Sequence, residues 1–87
     1  MPSVDQEVEL AARESYGRLL AWLTSRCGSI SMAEDALSDA LAEAVRRWPE
    51  SGVPENTEAW LLTVARRRLI DEQRRQSRRA EDRKSVV

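Results

Sequence analysis

The apolar residues of this chain fall into three runs at helical spacing, separated by two short stretches of turn-forming residues. Val8, Ala12, Leu19 and Leu23 make the first stripe, with Tyr16 and Trp22 on its flanks. "CGSI" ends that run. Ala33, Leu37, Ala40, Leu41, Ala44 and Trp48 make the second stripe. "PESGVPEN" (49–56) then holds two of the three prolines and one of the three glycines, so it reads as a loop. Trp60, Leu61, Val64, Ala65 and Leu69 form the third stripe, with Leu62 at its margin. No stretch alternates with the period of a strand. The pattern predicts an all-α fold, a small three- to four-helix bundle with helices over about 4–27, 31–48 and 57–79. The count is open because Gly17 costs ~1 kcal/mol against alanine inside a helix, which makes 15–17 a candidate break.

Local signals sharpen the boundaries. "SMAE" reads as a capping box, with Ser31 as the cap and Glu34 reaching back. Asn56 is a good N-cap for the third helix. After Ile70 no apolar residue appears until Ala80. The third helix is therefore expected to outrun the bundle and project into solvent. Residues 1–80 read as one domain, and 81–87 as a frayed tail.

The chain has 87 residues, enough for one small domain. A core of this size is marginal, because such a chain buries only about 60% of its unfolded surface. Cys27 is the single cysteine, so no internal disulfide forms, which fits a reducing compartment. No run reaches the ~20 apolar residues of a membrane span, and the acidic start "MPSVDQEVEL" does not resemble a signal peptide. The expectation is a cytoplasmic protein with no membrane partner.

Net charge is −1, but its distribution is uneven. Residues 1–60 carry 11 acids and 5 bases, net −6; residues 61–87 carry 4 acids and 9 bases, net +5. That split suggests two different partners, one of them a polyanion. Of the bases, 13 are arginine and one is lysine. Arginine forks onto phosphate and base edges, although a GC-rich genome gives the same bias.

Enzymatic chemistry has little to build on. There is no histidine to act as base or ligand, and the lone cysteine has no imidazole partner. The three glycines are scattered, so no loop cradles phosphate. The chain reads as a non-enzyme that needs no cofactor and no metal.

Two helix faces are candidates for binding. Opposite the core stripe of the second helix lie Asp35, Ser38, Asp39 and Ala42. Two carboxylates one turn apart mildly disfavour their own helix. A basic partner would relieve that, and Ala42 leaves room for close approach; solvated surface is the plainer alternative. Opposite the core stripe of the third helix lie Thr63, Arg66, Arg67, Ile70, Arg74 and Arg78. Few acids compensate this stripe, as phosphate binding requires, though a charged helix end is often simply solvated. Arg68 falls on the apolar side, where it is expected to snorkel and pair with Glu72 at i+4. The tryptophans are open to base stacking, but Trp48 and Trp60 lie on or beside core stripes.

Taken together these segments resemble a known family. "AEDALSDAL" (33–41) is similar to the "AEDLVQEAF" segment of region 2 of bacterial sigma factors. "AWLLTVARRRLID" (59–71) is similar to "AWLYRIARNRAID" of the same region, and "YGRLLAWL" (16–23) to "YPRLLALA". The spacing between them also matches, and the resemblance covers roughly residues 4–79. The group resembled is the extracytoplasmic-function sigma factors. "RWPESGVPENTEAWLLTVARRRLID" (47–71) is similar to a subgroup with a long helical-repeat C-terminal extension.

The resemblance implies roles. Region 2 binds the clamp helices of the RNA polymerase β′ subunit, a contact that by position falls to Asp35, Ser38 and Asp39, with Ala42 beside them. The family often has glutamine where Ser38 stands. Region 2 also recognises and melts the −10 promoter element. The loop of Pro49, Glu50, Ser51, Gly52, Val53 and Asn56 would then receive a flipped-out base of the single-stranded non-template strand. Arg66, Arg67, Arg74 and Arg75 would hold the adjoining DNA, with asparagine common in the family at Arg67. The domain that reads the −35 element is not among these residues, so the resemblance implies an excised or truncated domain that binds DNA weakly alone. An anti-sigma factor, or further C-terminal domains of the same protein, are the remaining partners it suggests. A small helix-turn-helix DNA-binding regulator is the alternative; it needs a 3–4-residue turn before its recognition helix, which the eight-residue "PESGVPEN" does not offer.

Overall fold

The computed structural model describes the backbone of residues 3–85 and the side chains of residues 3–79. Three helices account for nearly all of it: α1 (Val4–Cys27), α2 (Ile30–Ser51) and α3 (Thr57–Ser85). No strand occurs among the described residues, and no described helix is long and apolar enough to cross a membrane. The expected all-α bundle is what forms.

α1 is continuous. Ser3 caps it in a reciprocal box with Gln6, and Gly28, at φ 73°, closes it. The candidate break at 15–17 does not occur: Gly17 is helical and exposed, with open space around its α-carbon. Tertiary packing of the neighbouring turns outweighs one glycine's entropy. The inward stripe is Val8, Ala11, Ser15, Leu19 and Leu23, so Ala11 rather than Ala12 is fully buried.

α2 begins earlier than the sequence suggested. Ser29, in extended conformation, accepts the Met32 N–H at 3.2 Å, so the cap is Ser29 and not Ser31. Gly28 turns the chain so sharply that the first available hydroxyl takes the role. α2 also ends later, at Ser51. Pro49 lacks the N–H that would reach Val45. The helix still gains a last turn, because Gly52 N–H donates to the Trp48 carbonyl at 2.9 Å and the Ser51 hydroxyl to the Arg47 carbonyl at 3.0 Å. Only residues 52–56 remain as the connection.

Asn56 caps α3 as expected, its side-chain oxygen accepting the Ala59 N–H at 3.0 Å. The helix runs on to Ser85, past the expected end near 79; 86 and 87 lie outside the described residues. At ~1.5 Å per residue its length is roughly 43 Å, the longest element of a molecule that extends 61 Å along its long axis.

The core is built from all three stripes. Leu23, Leu37, Trp48 and Leu61 are its largest fully buried side chains, and Ala36 joins from α2. Leu41, expected at its centre, is only half-buried. Trp48 meets Trp60 edge to face, with centroids 5.3 Å apart. These two tryptophans are therefore packing residues, whereas Trp22 lies half-buried at the rim of the bundle.

Candidate nucleic-acid interface and docking face

On α2, Asp35, Ser38, Asp39 and Ala42 are all exposed. The first three form one wall of an open cleft of about 690 Å³ between α2 and α3. Arg68, Glu72 and Arg75 stand on its other wall. Among the described residues, neither Asp35 nor Asp39 has a cation within 4.0 Å. Two uncompensated carboxylates therefore flank a concavity.

On α3, Thr63, Arg66, Arg67, Ile70, Arg74 and Arg78 are exposed together, as their spacing requires. The Thr63 hydroxyl is spent on its own helix, donating to the Ala59 carbonyl at 2.9 Å. Arg66, Arg67, Arg74 and Arg78 make no ion pair among the described residues. Arg75 differs. It pairs with Glu72 at 3.4 Å and leans into the cleft beside Asp35 and Asp39.

Arg68 also departs from expectation. Its guanidinium lies 3.8 Å from Glu43 of α2 rather than on Glu72, and its side chain is 46% exposed. Glu43 is the residue at this seam that the apolar stripes do not reveal. Its side chain is only 11% exposed and draws in Arg47 at 3.0 Å and Arg46 at 3.9 Å. A carboxylate buried at the seam has to be paired. Two arginines at i+3 and i+4, beside a glutamate within the apolar period of α2, are the signal that was there to find.

The loop residues separate. Pro49, Glu50 and Ser51 belong to the last turn of α2; Gly52 and Val53 lie in the connection, and Asn56 caps α3. Val53 turns inward and packs against the core. The connection is therefore five residues, not eight, still longer than the 3–4-residue turn of a helix-turn-helix. The charge distribution argues against one more strongly. A recognition helix reads bases with its N-terminal residues, but the first turn of α3 carries Glu58 and its arginines begin at 66.

Glu58 is itself bound. The Arg18 guanidinium donates to it at 3.0 and 3.3 Å, which with Glu58's negative charge raises the Arg18 pKa above its ordinary value. This exposed pair ties α1 to the start of α3. Further along, α1 and α3 enclose a shallow groove of about 240 Å³, lined by Trp22, Arg26, Arg66, Leu69, Ile70 and Gln73.

Residues 12–79 match the family described as sigma-70 region 2. The chain belongs to that family. Region 2 is a promoter-recognition domain of RNA polymerase sigma factors, and the acidic and basic faces belong to a domain of that kind. An uncharacterized protein of Rhizobium meliloti (strain 1021) is 35% identical over 75 residues, covering 86% of this chain and 17% of that relative. The chain thus spans about a sixth of the length of the curated relative it matches. No solved structure gives a significant match.

Proposed function

We propose that this region 2 domain belongs to an extracytoplasmic-function sigma factor, in the subgroup with a helical-repeat extension that residues 47–71 resemble. It docks on the β′ clamp helices through Asp35, Ser38, Asp39 and Ala42. It holds the separated non-template −10 strand through Arg66, Arg67, Arg74 and Arg78, with Thr63 and Ile70 between them. The connection at Gly52 and Val53, with the turn of Pro49, Glu50 and Ser51 before it, borders the position of a flipped base.

One observation carries this reading. Among the described residues, carboxylates on α2 and guanidiniums on α3 that make no ion pair occupy separate faces of the same small bundle. Neither set has an opposite charge within 4.0 Å among the described residues, which leaves both available to a basic protein surface and a polyanion. Phosphate contacts hold the strand in place, and a base extruded from the stack needs a loop-bordered pocket. A domain this small cannot supply the few kcal/mol that unpairing costs, so it prefers single-stranded DNA to duplex.

The docking half is tested by Asp35→Arg with Asp39→Arg. Both residues are exposed, so circular dichroism should show the helices intact. Binding to an isolated β′ clamp-helix fragment should vanish as like charges meet. An unchanged isotherm would remove this face from the interface.

A further inference from the structure

We infer that the groove between α1 and α3 is a binding site for one nucleotide of single-stranded DNA, with Trp22 as its stacking platform and Arg26 as its phosphate contact. This rests on the nucleic-acid reading of α3 and extends it to a helix to which that reading assigns no DNA role.

Arg18, Trp22 and Arg26 stand at i, i+4 and i+8 on α1, so they share one face. The Arg18–Glu58 pair bridges that face to α3. Further along the same face, Trp22 and Arg26 line the groove together with Arg66, Ile70 and Gln73. Arg66 and Ile70 belong to the exposed stripe of α3 as well, so the groove opens directly off the basic face.

Its chemistry suits a nucleotide. Two guanidiniums, one indole, two aliphatic side chains and one amide line it, with no carboxylate among them. Neither Arg26 nor Arg66 has an acidic partner among the described residues. Its volume of about 240 Å³ falls below the ~300–1,000 Å³ of pockets that enclose drug-sized ligands. One base with its sugar is the occupant that matches, rather than a longer segment.

Arg26 occupies the place the base would take. Its guanidinium carbon lies 4.7 Å from the centre of the Trp22 ring, and the side chain is exposed. A cation over an indole face gains little at an exposed site, where water screens it. A base stacked on an aromatic side chain gains more. The base therefore displaces the guanidinium from the ring, and Arg26 turns to the adjoining phosphate.

The test uses the 87-residue chain and labelled single-stranded oligonucleotides bearing an abasic nucleotide at each position in turn. Wild type should lose about tenfold in affinity when the abasic site meets the groove, the effect of one lost stacking contact. Trp22→Leu, which keeps apolar bulk without the ring, should bind intact oligonucleotide about tenfold more weakly and ignore the abasic site at that position. Trp22→Phe should restore most of the affinity. Arg26→Ala should reduce the salt slope by about 0.7. If wild type binds and responds to Arg67→Ala, yet Trp22→Leu shows no coupling to any abasic position, the groove is not a nucleotide site while the α3 reading stands. If wild type binds no single-stranded DNA, both readings fall together.

Discussion

The seam between α2 and α3 and the outer face of α3 are both rich in arginine, and they use it differently. At the seam, Arg46, Arg47 and Arg68 converge on the buried carboxylate of Glu43. On the outer face, Arg66, Arg67, Arg74 and Arg78 have no carboxylate within 4.0 Å among the described residues. Arg67 and Arg68 are neighbours in sequence, yet one step of ~100° around the helix puts them in different sets. Whether an arginine is structural or available to a ligand is decided by what lies across from it, not by its type.

The division depends on a rigid seam. Leu61 is fully buried at the start of the α3 stripe. Leu61→Ala should cost about 2–5 kcal/mol, most of what a domain of this size holds. The melting temperature should fall by well over ten degrees. Leu41→Ala, at a half-buried site, should cost visibly less. Equal shifts for the two variants would mean that the buried face of α2 is misassigned.

Glu43→Gln is the sharper way to disturb the comparison. Losing a carboxylate that accepts from charged donors should cost ~1–3 kcal/mol. It also frees Arg47 and Arg68, so binding to single-stranded DNA should become more salt-dependent, not less. A destabilised variant with an unchanged salt slope would show that the seam arginines cannot reach the strand even when released.

Gly17→Ala is the smallest change. The residue is mid-helix, and an added methyl would meet nothing within 4 Å. It should stabilise the domain by roughly 0.4–1 kcal/mol and leave DNA binding untouched. A loss of stability on thermal denaturation would show that α1 does bend there.

Much of this was legible in the sequence. Helical periodicity gave the three elements, Asn56 gave the start of α3, and the missing apolar residues after Ile70 gave its projection. The faces of Asp35 and Asp39 and of Arg66, Arg67 and Arg74 followed from the 100° step alone. Features that depend on two helices meeting were not legible. Periodicity cannot say that Glu43 turns inward, or that Arg68 crosses to α2 instead of reaching Glu72 along its own helix. Nor can it bring Trp22 and Arg26 up to Arg66. Boundaries set by backbone geometry also escaped: Gly28 moved the α2 cap to Ser29, and the bonds made by Gly52 and Ser51 carried α2 past Pro49.

On the proposed reading, the outer arginines, and not those of the seam, hold the strand. Fluorescence anisotropy with a single-stranded −10 non-template oligonucleotide across a salt series tests it directly. The wild-type slope should fall by about 0.7 for each of Arg66→Ala, Arg67→Ala and Arg74→Ala, and binding should be tighter than to the matching duplex. Arg68→Ala should lower the melting temperature and leave the slope where it was. If Arg68→Ala flattened the slope while Arg67→Ala did not, or if the duplex were bound more tightly with sequence specificity, the account would be contradicted.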